Sequence, residues 1–244
     1  MGKRSDSTRG GVPTTMPPAP RLRDADRSRA RILAAATREF ARHGYGGARV
    51  DAICRAAQLN ARMIYHYFGD KDGLYVAVLE RVLDDLRQEE LKLVVDKAPP
   101  LQGVLELFDF MYGHFGAHPE LINLMSGENV LGARFLRRSA KIPLVASPLI
   151  ALLRALLRRG ERDGVFRRGI DPLRLYVRMV ALCYFHRSNA HTLSNIFRTD
   201  LRSADWQARY LDEARAMLRA SLAPDPPRPR ATATKRTAKR SGGR

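Results

Sequence analysis

Residues 50–74 read VDAICRAAQLNARMIYHYFGDKDGL, and the spacing of their apolar positions decides the fold. Val50, Ile53, Cys54 and Ala57 recur at intervals of three and four, the period of one helix face. Gln58-Leu59-Asn60 interrupts that period, and a second short helix follows over 61–68. Asp70 is placed to cap a further helix from Lys71, running through Leu74, Val78 and Leu79 to about residue 94. Upstream, Ile32, Leu33, Ala36 and Phe40 mark one face of a helix over 27–43, with Asp26 as its expected N-cap and Gly44 as its stop. A longer helix supporting two short ones across a three-residue turn is a helix-turn-helix.

In that motif the second short helix enters the DNA major groove, and its N-terminal residues meet base edges. Here these are Asn60, Ala61, Arg62 and Met63. Arg62 has the two-pronged donor geometry that suits guanine, and Ala61 or Met63 suits a thymine methyl. Tyr65, His66, Arg49 and Lys71 carry groups suited to phosphate contacts, which set register without reading sequence. Lys71 also stands at a helix N-terminus, where free backbone N–H groups favour an anion. The plainer alternatives are a solvated surface charge for Arg62 and core packing for Tyr67 and Phe68.

Charge points the same way. The 244 residues hold 43 Lys+Arg against 25 Asp+Glu, a net charge of +18. Residues 27–75 hold nine basic residues against four acidic, and residues 224–244 hold seven against one. The excess is densest in the helix-turn-helix and the C-terminal tail, which favours a polyanion, either nucleic acid or an anionic membrane surface. No run approaches the roughly 18 to 20 apolar residues of a membrane span. The basic N-terminus lacks the apolar stretch of a secretory signal. Cys54 and Cys183 match no metal or redox spacing. The expectation is a cytoplasmic protein with no membrane role and no cofactor.

These signals divide the chain into a disordered tail (1–26), a DNA-binding domain (27–75), a helical domain (76–223) and a disordered basic tail (224–244). Later helices are expected near 101–117, 120–127, 129–138, 143–163, 172–191 and 203–222, with Pro148 delaying the start of the fourth. Phe108, Met111, Tyr112, Phe115, Met125, Phe135, Tyr184 and Phe185 are candidates to line an apolar ligand pocket, against the alternative of ordinary core. Leu175, Met179, Leu182 and Phe185 with Tyr210, Ala214, Met217 and Leu218 are spaced for a four-helix interface. His114 and His118 share a helix face, but a third metal ligand at a recognisable offset is lacking. No nucleophile elbow, phosphate loop or triad signature appears, so neither metal nor catalysis is expected.

The stretches Ile32-Leu33-Ala34-Ala35-Ala36 through Phe40, His43-Gly44-Tyr45, Val50-Asp51-Ala52-Ile53 and above all Ile64 to Leu74 resemble the TetR/AcrR family of transcriptional regulators. The resemblance implies an all-α protein: an N-terminal three-helix helix-turn-helix DNA-binding domain, then a helical-bundle ligand-binding and dimerisation domain. It implies a homodimer on a palindromic operator in double-stranded DNA, and usually repression relieved by a small-molecule effector, whose identity the resemblance leaves open. By position, Tyr65, His66 and Lys71 match the family's backbone and base-edge contacts, and Asn60 to Met63 its variable reading positions. The helices near 172–191 and 203–222 match its dimer elements, and Tyr184 to Phe197 resembles a C-terminal subgroup. Gln58 stands where Gly is usual, Ala48 and Arg49 where Thr or Ser is common, and Arg62 and Met63 where small or hydroxyl residues are common. A DNA-architectural protein dominated by charge is the rival reading, with the tail adding sequence-independent affinity.

Overall fold

The computed structural model describes residues 20–224, apart from 94 and 96, and its regular elements are all helical. The chain falls into two compact units, one built from Met1–Gln88 with Ala117–Val145 and the other from Glu89–Gly116 with Ala146–Arg244. Packing thus divides the chain differently from a cut after residue 75. The helix after the helix-turn-helix, as far as Gln88, and the segment 117–145 go with the N-terminal residues. The tails expected at 1–19 and 225–244 lie outside the described residues.

In the first unit, α1 spans Pro20–Gly47. Residues 20–26, expected in a tail, are therefore helical, and Asp26 lies inside the helix rather than capping it. Gly44 breaks the helical path where a stop was expected, at φ 65° and ψ 175°. Then come α2 (Val50–Ala57), α3 (Ala61–Phe68) and α4 (Lys71–Leu91). Helices as short as α2 and α3 are marginal alone, so tertiary burial must hold them. Ile53, Ala57 and Ile64 supply it, packing with Ile32, Ala36, Phe40, Leu74, Val78 and Leu79 in one buried cluster.

The same core holds residues from further along the chain. α6 (Pro119–Val130) packs on α1, and a turn through Gly132 and Ala133, both at positive φ, leads to a 3-10 turn over Leu136–Arg138. One helix was expected over 129–138. The buried Glu128 carboxylate prevents it by accepting the backbone N–H groups of Phe135 (3.1 Å) and Leu136 (3.0 Å), which folds the chain back. Phe135 then fills an aromatic cluster with Tyr45 at 4.4 Å and Tyr75 at 4.9 Å between ring centroids.

The second unit contains α5 (Pro100–Ala117), α8 (Pro172–Ser188), α9 (Ala190–Phe197), α10 (Ala204–Leu222) and most of α7 (Ile142–Arg162). Pro148 lies inside α7 rather than delaying it. Asp171 caps α8 by accepting from Arg174 N at 2.7 Å, and Ser203 caps α10. The single helix expected over 172–191 ends at Ser188, and α9 begins anew after Asn189. Val104, Leu107, Phe108, Met111, Leu153, Leu156, Leu175, Met179 and Cys183 are buried here.

Candidate nucleic-acid interface

Two short helices need a tight, rigid turn between them if the second is to present a defined edge. Gln58 provides it in the left-handed conformation, at φ 52° and ψ 43°, where glycine would be unstrained. Its N–H donates to Arg55 O and that of Leu59 to Cys54 O, both at 3.1 Å, closing the end of α2. Arg31 reaches back to the Gln58 side-chain oxygen at 3.1 Å. Asn60 then caps α3, its Oδ1 accepting from Met63 N at 3.2 Å. Part of this expected base reader is therefore committed to starting the helix.

On α3, Ile64 is fully buried, whereas Arg62, Tyr65 and His66 are exposed. Their spacing of i, i+3 and i+4 puts them on one face. Tyr65 is 53% exposed, far more than a core tyrosine would be. Ala61 and Met63 are half-buried, and Met63 packs against the core cluster, so its side chain serves the fold as well as the edge. Tyr67 and Phe68 pack there too, in line with the plainer alternative. Arg49 is exposed at the start of α2, whose first turn carries no side-chain cap, and its own N–H donates to Glu39 Oε1 at 3.1 Å.

Lys71 is half-buried instead of reaching outward. Its ammonium donates to Ala48 O at 2.7 Å and lies 4.8 Å from the Tyr45 ring centroid. It pins the entry of α2 to the start of α4. Asp70 caps α4 as expected, accepting from Gly73 N at 2.7 Å. Beside it, Asp72 accepts from the Tyr45 hydroxyl and from Arg138 Nη1, the latter at 2.6 Å. The Tyr45 bond and the nearby Arg138 hold the Asp72 carboxyl below its ordinary value. Burial, and then the same Asp72 partner, push the Tyr45 phenol up to about 12.

Sequence reasoning missed this brace of Tyr45, Asp72 and Arg138. The quoted motif contained Tyr45 and Asp72, but nothing local points to Arg138. The reason for Gly73 was missed as well: a Cβ there would sit 2.1 Å from the Phe68 carbonyl oxygen, so the α3–α4 junction has room only for glycine.

The structure splits the eight ligand candidates. Phe108, Met111, Tyr112 and Phe115 are buried along α5 in the second unit, and the Tyr184 ring meets Phe115 edge-on at 6.5 Å. Phe185 is 59% exposed. Phe135 and Met125 belong to the first unit's core. Helical period identifies an apolar face but not the element that covers it, so the eight candidates are shared between the two units.

Around Tyr112 the second unit gathers polar and aromatic groups. Its hydroxyl donates to Gln207 Oε1 at 2.7 Å, its ring stacks on His186 at 5.5 Å, and the Arg187 guanidinium lies 4.5 Å from its centroid. His114 stays on α5 beside the Phe110 ring, while His118 starts α6 and meets Glu120 at 3.1 Å. Among the described residues no cluster of three or more His, Cys, Asp or Glu side chains is arranged to hold a metal.

The expected interface residues also divide. Leu175, Met179, Ala214 and Leu218 are buried within the protomer. Leu173, Val177, Ala181 and Phe185 instead form an exposed stripe on α8, with Met217 exposed on α10. No helix among the described residues is long and apolar enough to cross a membrane.

Comparison with known proteins identifies both parts. Residues 32–78 match the bacterial regulatory proteins of the tetR family, and residues 100–218 match the tetracyclin repressor-like C-terminal domain. The HTH-type transcriptional repressor NicS of Pseudomonas putida is 37% identical over 189 residues, covering 78% of this chain and 88% of that protein. The HTH-type transcriptional repressor SCO4008 of Streptomyces coelicolor is 34% identical, covering 66% of this chain and 78% of that protein. A TetR family regulator from Marinobacter aquaeolei VT8 shares the fold at TM-score 0.62 and 22% identity, over 83% of this chain and 98% of its own. The chain belongs to the TetR family of bacterial transcriptional regulators.

Proposed function

We propose that the chain acts as a homodimeric repressor, each protomer placing α3 in the major groove of a palindromic operator, and that a small molecule bound in the second unit releases it. The observation that carries the operator reading is the shared exposed face of Arg62, Tyr65 and His66 on a helix whose opposite side is buried. Arg62 reads bases, Ala61 lies against the bases beside it, and Tyr65, His66 and Arg49 hold phosphates. Lys71 acts chiefly by fixing α2 against α4, with its remaining N–H donors toward the backbone of the DNA.

The α8 stripe and Met217 supply the dimer face, since large apolar side chains more than half exposed in one row favour burial against a second copy. An apolar groove of about 280 Å³, lined by Arg178, Ala181, Leu182, Met217, Leu218 and Ser221, continues that face. The buried α5 residues Phe108, Met111, Tyr112 and Phe115, with Tyr184, form the region assigned to the effector.

Selection of bound sequences from random DNA by the full chain tests the operator reading. The expected result is a palindrome preferred at least about 10³-fold over random DNA. Recovery without a consensus would favour the architectural alternative. Repeating the selection with Arg62→Ala shifts the consensus if Arg62 reads a base, and lowers all affinities equally if it holds a phosphate.

A further inference from the structure

A second concentration of positive charge lies at the turn from α7 into α8. There the chain passes through Gly164 and Gly169, at φ +72° and +76°. It forms a cleft of about 300 Å³ lined by Arg167, Gly169, Ile170, Asp171, Arg174 and Arg178. Three guanidinium groups thus face one carboxylate, and that carboxylate is already engaged as the α8 cap, 2.7 Å from Arg174 N. The nearby Glu161 carboxylate is engaged as well, accepting Gly169 N at 2.7 Å.

The arginines are held in different ways. Arg167 is anchored to the end of α10: its backbone N donates to Leu222 O and its Nε to Ser221 O, both at 2.9 Å. That fixes the stem and leaves the terminal nitrogens of the fork to the cleft. Arg178 Nε is shut off from solvent and has no hydrogen-bond partner. A buried donor on a charged group demands an acceptor, because leaving it unmade carries the full desolvation penalty. Among the described residues none of the three arginines makes an ion pair, so the positive charge lining the cleft outweighs the single Asp171 carboxylate. Their mutual repulsion and the positive end of the α8 dipole add to the attraction for a negative charge. Arginine forks match the geometry of oxyanions, and the cleft's volume lies at the small end of small-molecule pockets.

We propose that this cleft is an oxyanion-binding site that holds a small molecule through a phosphate or carboxylate group. It uses neither the aromatic α5 residues nor the operator-reading residues and depends on neither reading, while Arg178 also lines the groove assigned to the dimer face. Asp171 contributes by fixing the start of α8, where Arg174 and Arg178, one turn apart, line the same cleft.

Calorimetric titration of the full chain with sodium phosphate, and separately with sodium acetate, at constant ionic strength balanced by chloride, tests the site. Saturable binding of at least one anion is expected, and the anion that saturates identifies the preferred group. Arg178→Gln and Arg174→Gln should each weaken it about tenfold or more. Arg174 is exposed, so its replacement leaves the fold intact and keeps the test interpretable if Arg178→Gln unfolds. Arg158→Gln, at an exposed position on α7 that does not line the cleft, should leave binding unchanged. Absence of saturation, or equal weakening by Arg158→Gln, overturns the proposal. So does a result in which Arg174→Gln and Arg178→Gln alter only self-association, which would assign the cleft to a carboxylate of a second copy.

Discussion

Arg138 Nη1 lies 2.6 Å from Asp72 Oδ2, joining the 3-10 turn after α6 to the first turn of α4 across 66 residues of chain. The other oxygen of the same carboxylate accepts from Tyr45, so three segments meet on one side chain. The pair is partly exposed, at 48% and 26%, which limits its worth to about 0.2–1 kcal/mol. Arg138→Ala should therefore lower the urea midpoint only slightly, while weakening operator binding by loosening the start of α4. The lowered Asp72 value gives stability that is present above about pH 4 and lost as pH falls through the folded value. Asp72→Asn should flatten the acid limb of the stability curve, measured by urea unfolding at successive pH values.

Gly73→Ala places a methyl group against a backbone oxygen that cannot move independently of α3. A loss of about 2–3 kcal/mol is expected, with operator binding reduced beyond the loss of folded protein. Equal stability of the variant in thermal unfolding would contradict the steric account.

Gln58→Gly should have the opposite sign. Relief of the left-handed strain outweighs both the added chain entropy and the lost Arg31 contact, for a gain of about 0.5 kcal/mol. A higher urea midpoint with an unchanged slope is the expected observation.

His186 is buried among Tyr112, Trp206 and Tyr210. Burial, and then the neighbouring Arg187 charge, bring it down to about 4, against a partial rise from Gln207. The folded ring is neutral. As pH falls from about 6.5 toward about 4, only the unfolded chain takes up the proton, so stability is lost across that window. The loss is on the order of 3 kcal/mol. His186→Gln should remove it, which unfolding midpoints at pH 7 and pH 4.5 would reveal.

Val177→Glu puts a charge in the middle of the exposed α8 stripe without disturbing the protomer core, since Val177 is 57% exposed. The variant should sediment as a monomer at concentrations where the parent chain is a dimer. A dimer of unchanged strength would remove α8 from the interface.

The parts legible in the sequence were those fixed by local rules. The bounds of α2 and α3 follow from period and turn, Asp70 from its capping chemistry, and the special turn position of Gln58 from the glycine usual there in the family it resembles. Long-range partners were not legible. Glu128 looks like any helical surface acid until its carboxylate is found holding two backbone N–H groups of a later segment. Nothing local to Lys71 points to the Ala48 carbonyl, 23 residues away, that its ammonium also holds. The break between α8 and α9 falls at Asn189, with neither proline nor glycine to announce it, so the apolar period runs straight across.

The fold-back enforced by Glu128 bears on how such regulators can be recombined. A chimera that grafts residues up to Gln88 onto a foreign effector domain keeps the whole reading head in linear order, yet leaves behind Phe135, the ring that completes its aromatic core. The graft would inherit a hole beside Tyr45 and Tyr75 and the loss of Arg138 from Asp72. The transplantable piece is discontinuous: it must carry the stretch from Ala117 to Val145 along with the head.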